Sequence, residues 1–488
     1  VSTELEQHSR GVARDAALGI VGRGVAMVAS SVTAIVVAAT LVKAEYGAYA
    51  IIFGLQVILV MALDLGLTSS LARYVAQGRA TTRLVITVAA ARLGIIGAAA
   101  LLVLLAPSVV PAVDRSTLAP LLPALAALVV AQSLIAFQFG VLPSLRRIRL
   151  LLLVTAAQPL VELALVLRAA SSGGGAEEMI LATTYAGLGV SAIAWGLLLA
   201  PGRAASPDVP VASVDEHATL RMVARYGRQI FLVSLLIAVF GQIDQLIIGI
   251  FHPLAEVAPY ALAIKVQALI AAPAITIAGI VAPRIAGAGV AAQAMYRQWL
   301  AFLLVLTCGA VLTVAVLSAE LFGAIDPRYR DDSMLLVAMA PVLLLAAVAP
   351  LPSIALNQTG LAASRLRIAA ITVAINVALD LALVPPFGAW GAVIATTIAF
   401  TYYFARHDIL LERALGEVAD PPAPSIRGVL VRGAVVSVAV AALAALVRVG
   451  LEAALGDPSD VVVLLVAGGI AAVIHVAYSV RIVRRPLA

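Results

Sequence analysis

The sequence predicts an all-α, polytopic membrane protein of about fourteen transmembrane helices. Three observations predict it. First, 63% of the 488 residues are hydrophobic and 12% charged, with a mean hydropathy of +1.08. A water-soluble fold of this length needs more polar surface than that, whereas lipid tolerates the composition. Second, apolar stretches of about 20 residues, each long enough to cross a hydrocarbon core, recur along the whole chain. Third, the basic residues alternate between opposite ends of those stretches.

The expected spans lie near residues 16–42, 47–71, 84–110, 118–143, 150–169, 179–200, 226–251, 257–282, 298–323, 334–356, 366–386, 388–405, 431–451 and 460–480. Span 1 is too long for a signal-peptide core and no small-residue cleavage site ends it, so a retained helix is expected. With both termini cytoplasmic, only Lys43, Arg115, Arg168, Arg328, Arg330 and Arg448 face outward. Arg23, Arg92 and Lys265 fall within spans, leaving 23 of the 32 basic residues inside. An odd error in the number of spans would invert this pattern partway along, so the alternation itself supports fourteen. Anionic headgroups account for the basic balance, and no nucleic acid is needed. The longest inner connections, near 201–225 and 406–430, are too short to fold as domains.

An internal repeat relates spans 1–6 to spans 7–12. At an offset of 211, Arg14 meets Arg225, Glu45 meets Glu256, Tyr49 meets Tyr260, Ala50 meets Ala261 and Arg73 meets Arg284. At an offset of 218, Arg147 meets Arg365, Arg149 meets Arg367, Glu162 meets Asp380, and Leu163–Val166 meets Leu381–Val384, both reading Leu-Ala-Leu-Val. Six is even, so both halves keep the same orientation, the parallel type of repeat. The expected division is therefore 1–205 (spans 1–6), 206–415 (spans 7–12) and 416–488 (spans 13 and 14).

Ionisable groups within spans are costly and mark candidate sites. Arg23 in span 1 sits nine residues beyond Arg14, about 13 Å deeper, where snorkelling is strained. A cationic cavity for an anionic group such as phosphate accounts for it. An ion pair with Asp64 of span 2 accounts for it too, and the two are compatible. Arg92 stands in span 3. Lys265 in span 8 either snorkels outward or acts as a second-half partner to Arg23. Asp244 of span 7 lies in the polar patch Gly241-Gln242-Ile243-Asp244-Gln245, serving helix packing or a coupling ion or substrate. Glu162 of span 5 and Asp380 of span 11 are repeat mates, fitted to carry a proton or to act as gate-side hydrogen-bond partners. Pro159 and Pro273 predict bends.

Soluble-enzyme constellations are missing from the sequence. His8, His217, His252, His407 and His475 show no metal spacing, Cys308 stands alone, and no phosphate-binding Gly-rich loop with its Lys occurs. No organic cofactor is expected, only H+ or Na+ coupling.

Residues 45–77, with Tyr46-Gly47-Ala48-Tyr49 preceding Asp64-Leu65-Gly66, resemble the helix-2 region of bacterial oligosaccharide (Wzx-type) flippases. Residues 241–265 resemble that family's helix 7–8 hairpin. Residues 360–396, through Arg365, Asn376, Asp380, Pro385, Gly388, Gly391, Ala392 and Thr396, resemble its helix 11–12 hairpin, and Pro327-Arg328-Tyr329 fits the loop before helix 10. The resemblance is dispersed over about residues 10–410. It implies the superfamily of polysaccharide flippases, lipid II flippases and multidrug exporters, with two six-helix lobes in a V. It further implies a multi-pass protein of the cell's inner or plasma membrane. The substrate would be an undecaprenyl-pyrophosphate-linked oligosaccharide moved to the outer leaflet by alternating access for cell-surface polysaccharide biosynthesis, in contact with membrane lipids and glycan-assembly enzymes. Arg23, Arg92 and Lys265 are this sequence's positions for holding the pyrophosphate, and Asp64, Glu162, Asp244 and Asp380 its candidates for ion coupling. Where the family often carries Asn near the outer end of helix 11, this chain has Asp380. The rivals are a lipid II flippase or a multidrug/cation antiporter of the same fold, a glycan polymerase, for which the outer loops are short, and a non-transporting scaffold, which would not need seven charges within spans.

Overall fold

The computed structural model describes residue 22 and residues 24–109, 117–145, 147–199, 218–417, 425–456 and 458–484, and among these there is no strand. Twelve helices are long and apolar enough to cross a membrane. A shorter apolar helix, α1 (Gly24–Thr40), is the described part of span 1. One of the twelve covers spans 11 and 12 together, so each expected span has its helix.

The first unit is residues 1–242. It holds α1, α2 (Lys43–Asp64), α3 (Leu67–Ala76), α4 (Thr82–Val109), α5 (Leu122–Val141), α6 (Ile148–Ser171), α7 (Ala176–Leu199) and the start of α8 (Leu220–Phe251). The expected span 47–71 is not one rod. Leu65 (φ 49°) and Gly66 (φ 70°) turn the chain between α2 and α3. Glycine tolerates that φ, and here the backbone of Gly66 also lies directly on that of Gly227 in α8, leaving no room for a Cβ. Tyr46, Tyr49 and Phe53 form an aromatic row along α2, with centroids 6.0 and 4.3 Å apart.

The second unit is residues 243–488. It holds the rest of α8, α9 (Leu254–Gly287), α10 (Ala292–Val316), α11 (Ser318–Ile325), α12 (Ser333–Ala338), α13 (Ala340–Val348), α14 (Pro350–Gln358), α15 (Ala362–Gly416), α16 (Arg427–Leu455), α17 (Asp460–Val463) and α18 (Gly469–Arg484). Span 10 is built from α12, α13 and α14 in series. Pro341 and Pro350 open the last two pieces, because proline fits a helix's first turn and breaks its interior. α15 folds back on itself at Gly388 (φ 56°, ψ −135°), just past Pro385-Pro386, so that Asn376 on one limb meets Thr396 on the other. Between α17 and α18 the chain takes one π-helical turn, Leu464–Gly468.

The last two spans are fastened to α10 at Val305 and, nearer its start, at Gln298, whose Nε2 donates to the Ile482 carbonyl at 3.3 Å. Gly433 of α16 lies against the Val305 side chain, and His475 Nε2 is 2.6 Å from the Val305 carbonyl. Leu317 shares a buried cluster with Val440, Ala444, Val463, Ala467 and Ala471. An apolar cavity of about 270 Å³ lies beside them, between α10 and α18.

Candidate functional site

In the first unit, Asp64 ends α2 and Arg92 faces it from α4. Arg92 NH2 is 2.9 Å from Asp64 Oδ1, with side-chain exposures of 3% and 18%. Thr68, one turn past the α2–α3 break, donates its hydroxyl to the same carboxylate oxygen. The guanidinium stands over the Phe137 ring, 5.0 Å from its centroid, and Phe137 stacks on Trp195 at 5.9 Å. Arg92 Nε and the Ser133 hydroxyl have no hydrogen-bond partner and line a cavity of about 280 Å³ between α4, α5 and α7. The partner the sequence offered for Asp64 was Arg23, which lies outside the described residues. Among the described residues, Arg92 is the cation paired with Asp64.

In the same unit, Glu162 of α6 accepts from Gln158 Nε2 and from the Thr183 hydroxyl of α7, both at 2.9 Å. Tyr49 of α2 stands beside Glu162 and Thr183. Tyrosine, threonine and an amide thus surround a single carboxylate.

The second unit repeats this set with one acid more. Asp244 of α8 accepts from the Tyr260 hydroxyl of α9, and the Thr396 hydroxyl of α15 donates to the same oxygen at 2.6 Å. Asn376 Nδ2 is 3.4 Å from Thr396 Oγ1. Asp380, fully buried, interacts directly with Asp244, which is 5% exposed. Tyr49 and Tyr260 are repeat mates, as are Glu162 and Asp380. Residues 158 and 376 differ by the same 218, so Gln158 meets Asn376. Residues 33 and 244 differ by 211, so Asp244 replaces Thr33, whose hydroxyl only donates to the Ala29 carbonyl in its own helix.

Four buried oxygens of the second cluster, Asp244 Oδ1, both carboxylate oxygens of Asp380 and Asn376 Oδ1, accept from no N–H or hydroxyl donor, and the two carboxyl groups stand within hydrogen-bonding reach of each other. Two adjacent buried carboxyl groups without a cation among the described residues are expensive to hold. An all-oxygen set of this kind suits a hard cation or a proton. Lys265, on α9 of the same unit, is exposed.

Sequence reasoning picked out the acids but gave no role to the threonines that hold them: Thr396 entered only within the helix 11–12 resemblance, and Thr183 not at all. A signal was available: the doublets Thr183-Thr184 and Thr396-Thr397 each stand in an apolar run, in spans 6 and 12, the last span of each half of the repeat.

Many apolar spans, a halved architecture and repeat-related polar clusters buried at membrane depth define a membrane transporter, not an enzyme, of the multidrug/oligosaccharidyl-lipid/polysaccharide exporter superfamily. The family model described as "Polysaccharide biosynthesis protein" matches residues 12–288, more than half of the chain, and the chain belongs to that family. Among solved structures it is similar to the lipid II flippase MurJ in an inward closed conformation, with TM-score 0.67, 12% identity, and coverage of 96% of this chain and 99% of that one. It is also similar to an inward-facing multidrug resistance MATE family transporter (0.64, 14% identity, 80% and 95%) and to a superfamily transporter from Pyrococcus furiosus (0.54, 16% identity, 83% and 96%). No curated protein matches the sequence.

Proposed function

We propose that this transporter is a flippase that carries an undecaprenyl-pyrophosphate-linked oligosaccharide from the cytoplasmic to the outer leaflet of the cell membrane for cell-surface polysaccharide biosynthesis. Membership of the polysaccharide biosynthesis family supports the substrate class. The charge pattern supports cytoplasmic termini, and the internal repeat supports lobes over 1–205 and 206–415 with 416–488 appended. In this reading the pyrophosphate is held by Arg23 and Lys265. Arg92 contributes positive charge already balanced by Asp64, so its part is to fix α4 against α2. Glycan-assembly enzymes supply the substrate on the inner face.

The observation that carries the coupling is the pair of buried acids facing each other, with oxygens that accept from no N–H or hydroxyl donor. Asp244, Asn376, Asp380 and Thr396 would hold Na+ or a proton, and Glu162 with Gln158 and Thr183 offers a second, singly charged position. A cation drives the switch between inward- and outward-open states only by binding one of them more tightly.

The test is leaflet translocation of a fluorescent polyprenyl-pyrophosphate oligosaccharide in proteoliposomes, with an imposed Na+ or proton gradient. Translocation in the parent that loses its gradient dependence in Asp244→Asn and Asp380→Asn supports the reading. No movement of any lipid-linked glycan, with export of a cationic dye, sinks it in favour of the antiporter. Movement of lipid II alone identifies a lipid II flippase.

A further inference from the structure

We infer that the cavity between α4, α5 and α7 binds a flat, uncharged lipophile of two fused rings that accepts hydrogen bonds, the class to which membrane naphthoquinones belong. Two buried polar residues line it, Arg92 and Ser133, with whole-residue exposures of 2% and 1%. Arg92 Nε and Ser133 Oγ have no hydrogen-bond partner. Guanidinium nitrogens only donate, and the hydroxyl has a hydrogen of its own to give. Unmet donors in an apolar surrounding are costly, so the cavity suits a molecule that brings acceptor oxygens.

The charge at this place is already balanced. Asp64 Oδ1, 2.9 Å from Arg92 Nη2, neutralises the guanidinium from the α2 side. A carboxylate or phosphate in the cavity would add a buried negative charge with no cation left for it. A carbonyl oxygen takes the free N–H and adds no charge. Depth argues the same way. Arg92 stands ten residues into α4, about 15 Å along the helix, which is half of a hydrocarbon core of about 30 Å. Charged headgroups do not dissolve there, whereas uncharged ring systems do.

Size and shape set the rings. An apolar cavity of about 150 Å³ holds one benzene, and this one measures about 280 Å³, room for two fused rings. Phe137 and Trp195, with centroids 5.9 Å apart and planes 19° apart, form a wall on which a flat molecule stacks. Water would meet the two donors, but the remaining lining is aliphatic or aromatic and gives water little to bond to. Entry is from the side of α4. Leu93, on the rim, is 52% exposed, and the other large exposed side chains of α4 are Ile86, Leu101, Leu102, Leu104 and Leu105, an apolar surface suited to lipid. Binding here does not depend on the flippase reading.

The test uses the protein's own indole. Trp299→Phe and Trp390→Phe leave Trp195 as the one tryptophan of the full-length chain. That chain, in nanodiscs, is titrated with dimethylnaphthoquinone, which quenches indole fluorescence and whose substituted ring does not add thiols. Quenching is expected to saturate. Ser133→Ala removes one donor and little volume, and is expected to raise the half-saturating concentration at least about fivefold. Ala89→Phe fills the cavity from α4 and is expected to abolish the saturable part. Naphthalene, with the same rings and no oxygen, is expected to compete at least about tenfold less well. Quenching that rises linearly and equally in parent and variants marks partition into the bilayer beside a cavity that holds only water, and overturns the site. Saturation unchanged in Ser133→Ala and Ala89→Phe overturns it as well. Naphthalene competing as well as the quinone overturns the hydrogen-bonded carbonyl, and naphthoate competing better overturns the uncharged class. Ser133→Ala keeps the test decisive if Ala89→Phe does not fold.

Discussion

Arg92 and Asp64 show how much a single residue's role depends on what surrounds it. Both charges are legible in the sequence as intramembrane groups, but their pairing is not, because Asp64 and Arg92 meet only through the packing of α2 on α4. Breaking a buried pair leaves an uncompensated charge and costs about 3–5 kcal/mol, whereas replacing both partners with apolar residues is often neutral. Arg92→Met is therefore expected to lower the detergent melting temperature strongly, and Arg92→Met with Asp64→Leu to recover most of the loss. Equal destabilisation in single and double variants would show that Arg92 acts elsewhere. At the acid cluster, removing one carboxylate should relieve repulsion even as it abolishes coupling. Asp380→Asn is expected to hold or raise the melting temperature while gradient-driven translocation falls at least about tenfold, equivalent to about 1.4 kcal/mol in the barrier. A proportional fall in both would mark Asp380 as structural.

Among the elements, hydrophobic length placed the spans well and said little about breaks within them. The expected span 47–71 turns at Leu65-Gly66 because Gly66 supplies both a positive φ and a bare surface for Gly227. The Asp-Leu-Gly motif was visible, but the approach of α8 that makes its glycine necessary was not. Gly66→Ala meets both penalties at once, and a loss of at least about 1–2 kcal/mol is expected, measured as a shift in thermal stability. A neutral Gly66→Ala would mean that α2 and α3 tolerate a different crossing of α8. The turn of α15 was more legible: Pro385-Pro386 followed by Gly388 marked the boundary between spans 11 and 12, since proline and glycine punctuate helices. The threonines facing the acids were the least legible, because Thr183 and Thr396 are ordinary residues in apolar runs until the opposite helix supplies a carboxylate.

Across the whole molecule, the repeat carried the most information for the fewest residues. It paired Tyr49 with Tyr260 and Glu162 with Asp380 before any contact was known, and each of these pairs stands in equivalent polar clusters of the two units. The units differ at position 33 against 244, where threonine is replaced by aspartate, so one protein carries a one-acid and a two-acid version of a single design. Spans 13 and 14 lie outside the repeat, yet they are not ornaments. A chain ending at residue 417 would expose the α10 face that Gly433 and His475 cover at Val305, and it is expected to aggregate or melt well below the full-length protein. A stable, monodisperse truncation would show that the first twelve spans fold unaided.

Three of the six cations that the charge pattern assigns to the outside share another property. Arg328 is paired with Asp326, Arg330 with Asp460, and Arg448 with Glu320, all within the second unit. Their charges are largely spent locally, so on the topology that the charge pattern supports these three add little free positive charge to the outer side. On that topology a membrane potential, negative inside, would act on the folded protein as on a weighted float, pulling on the basic face and finding little to pull on at these three paired arginines.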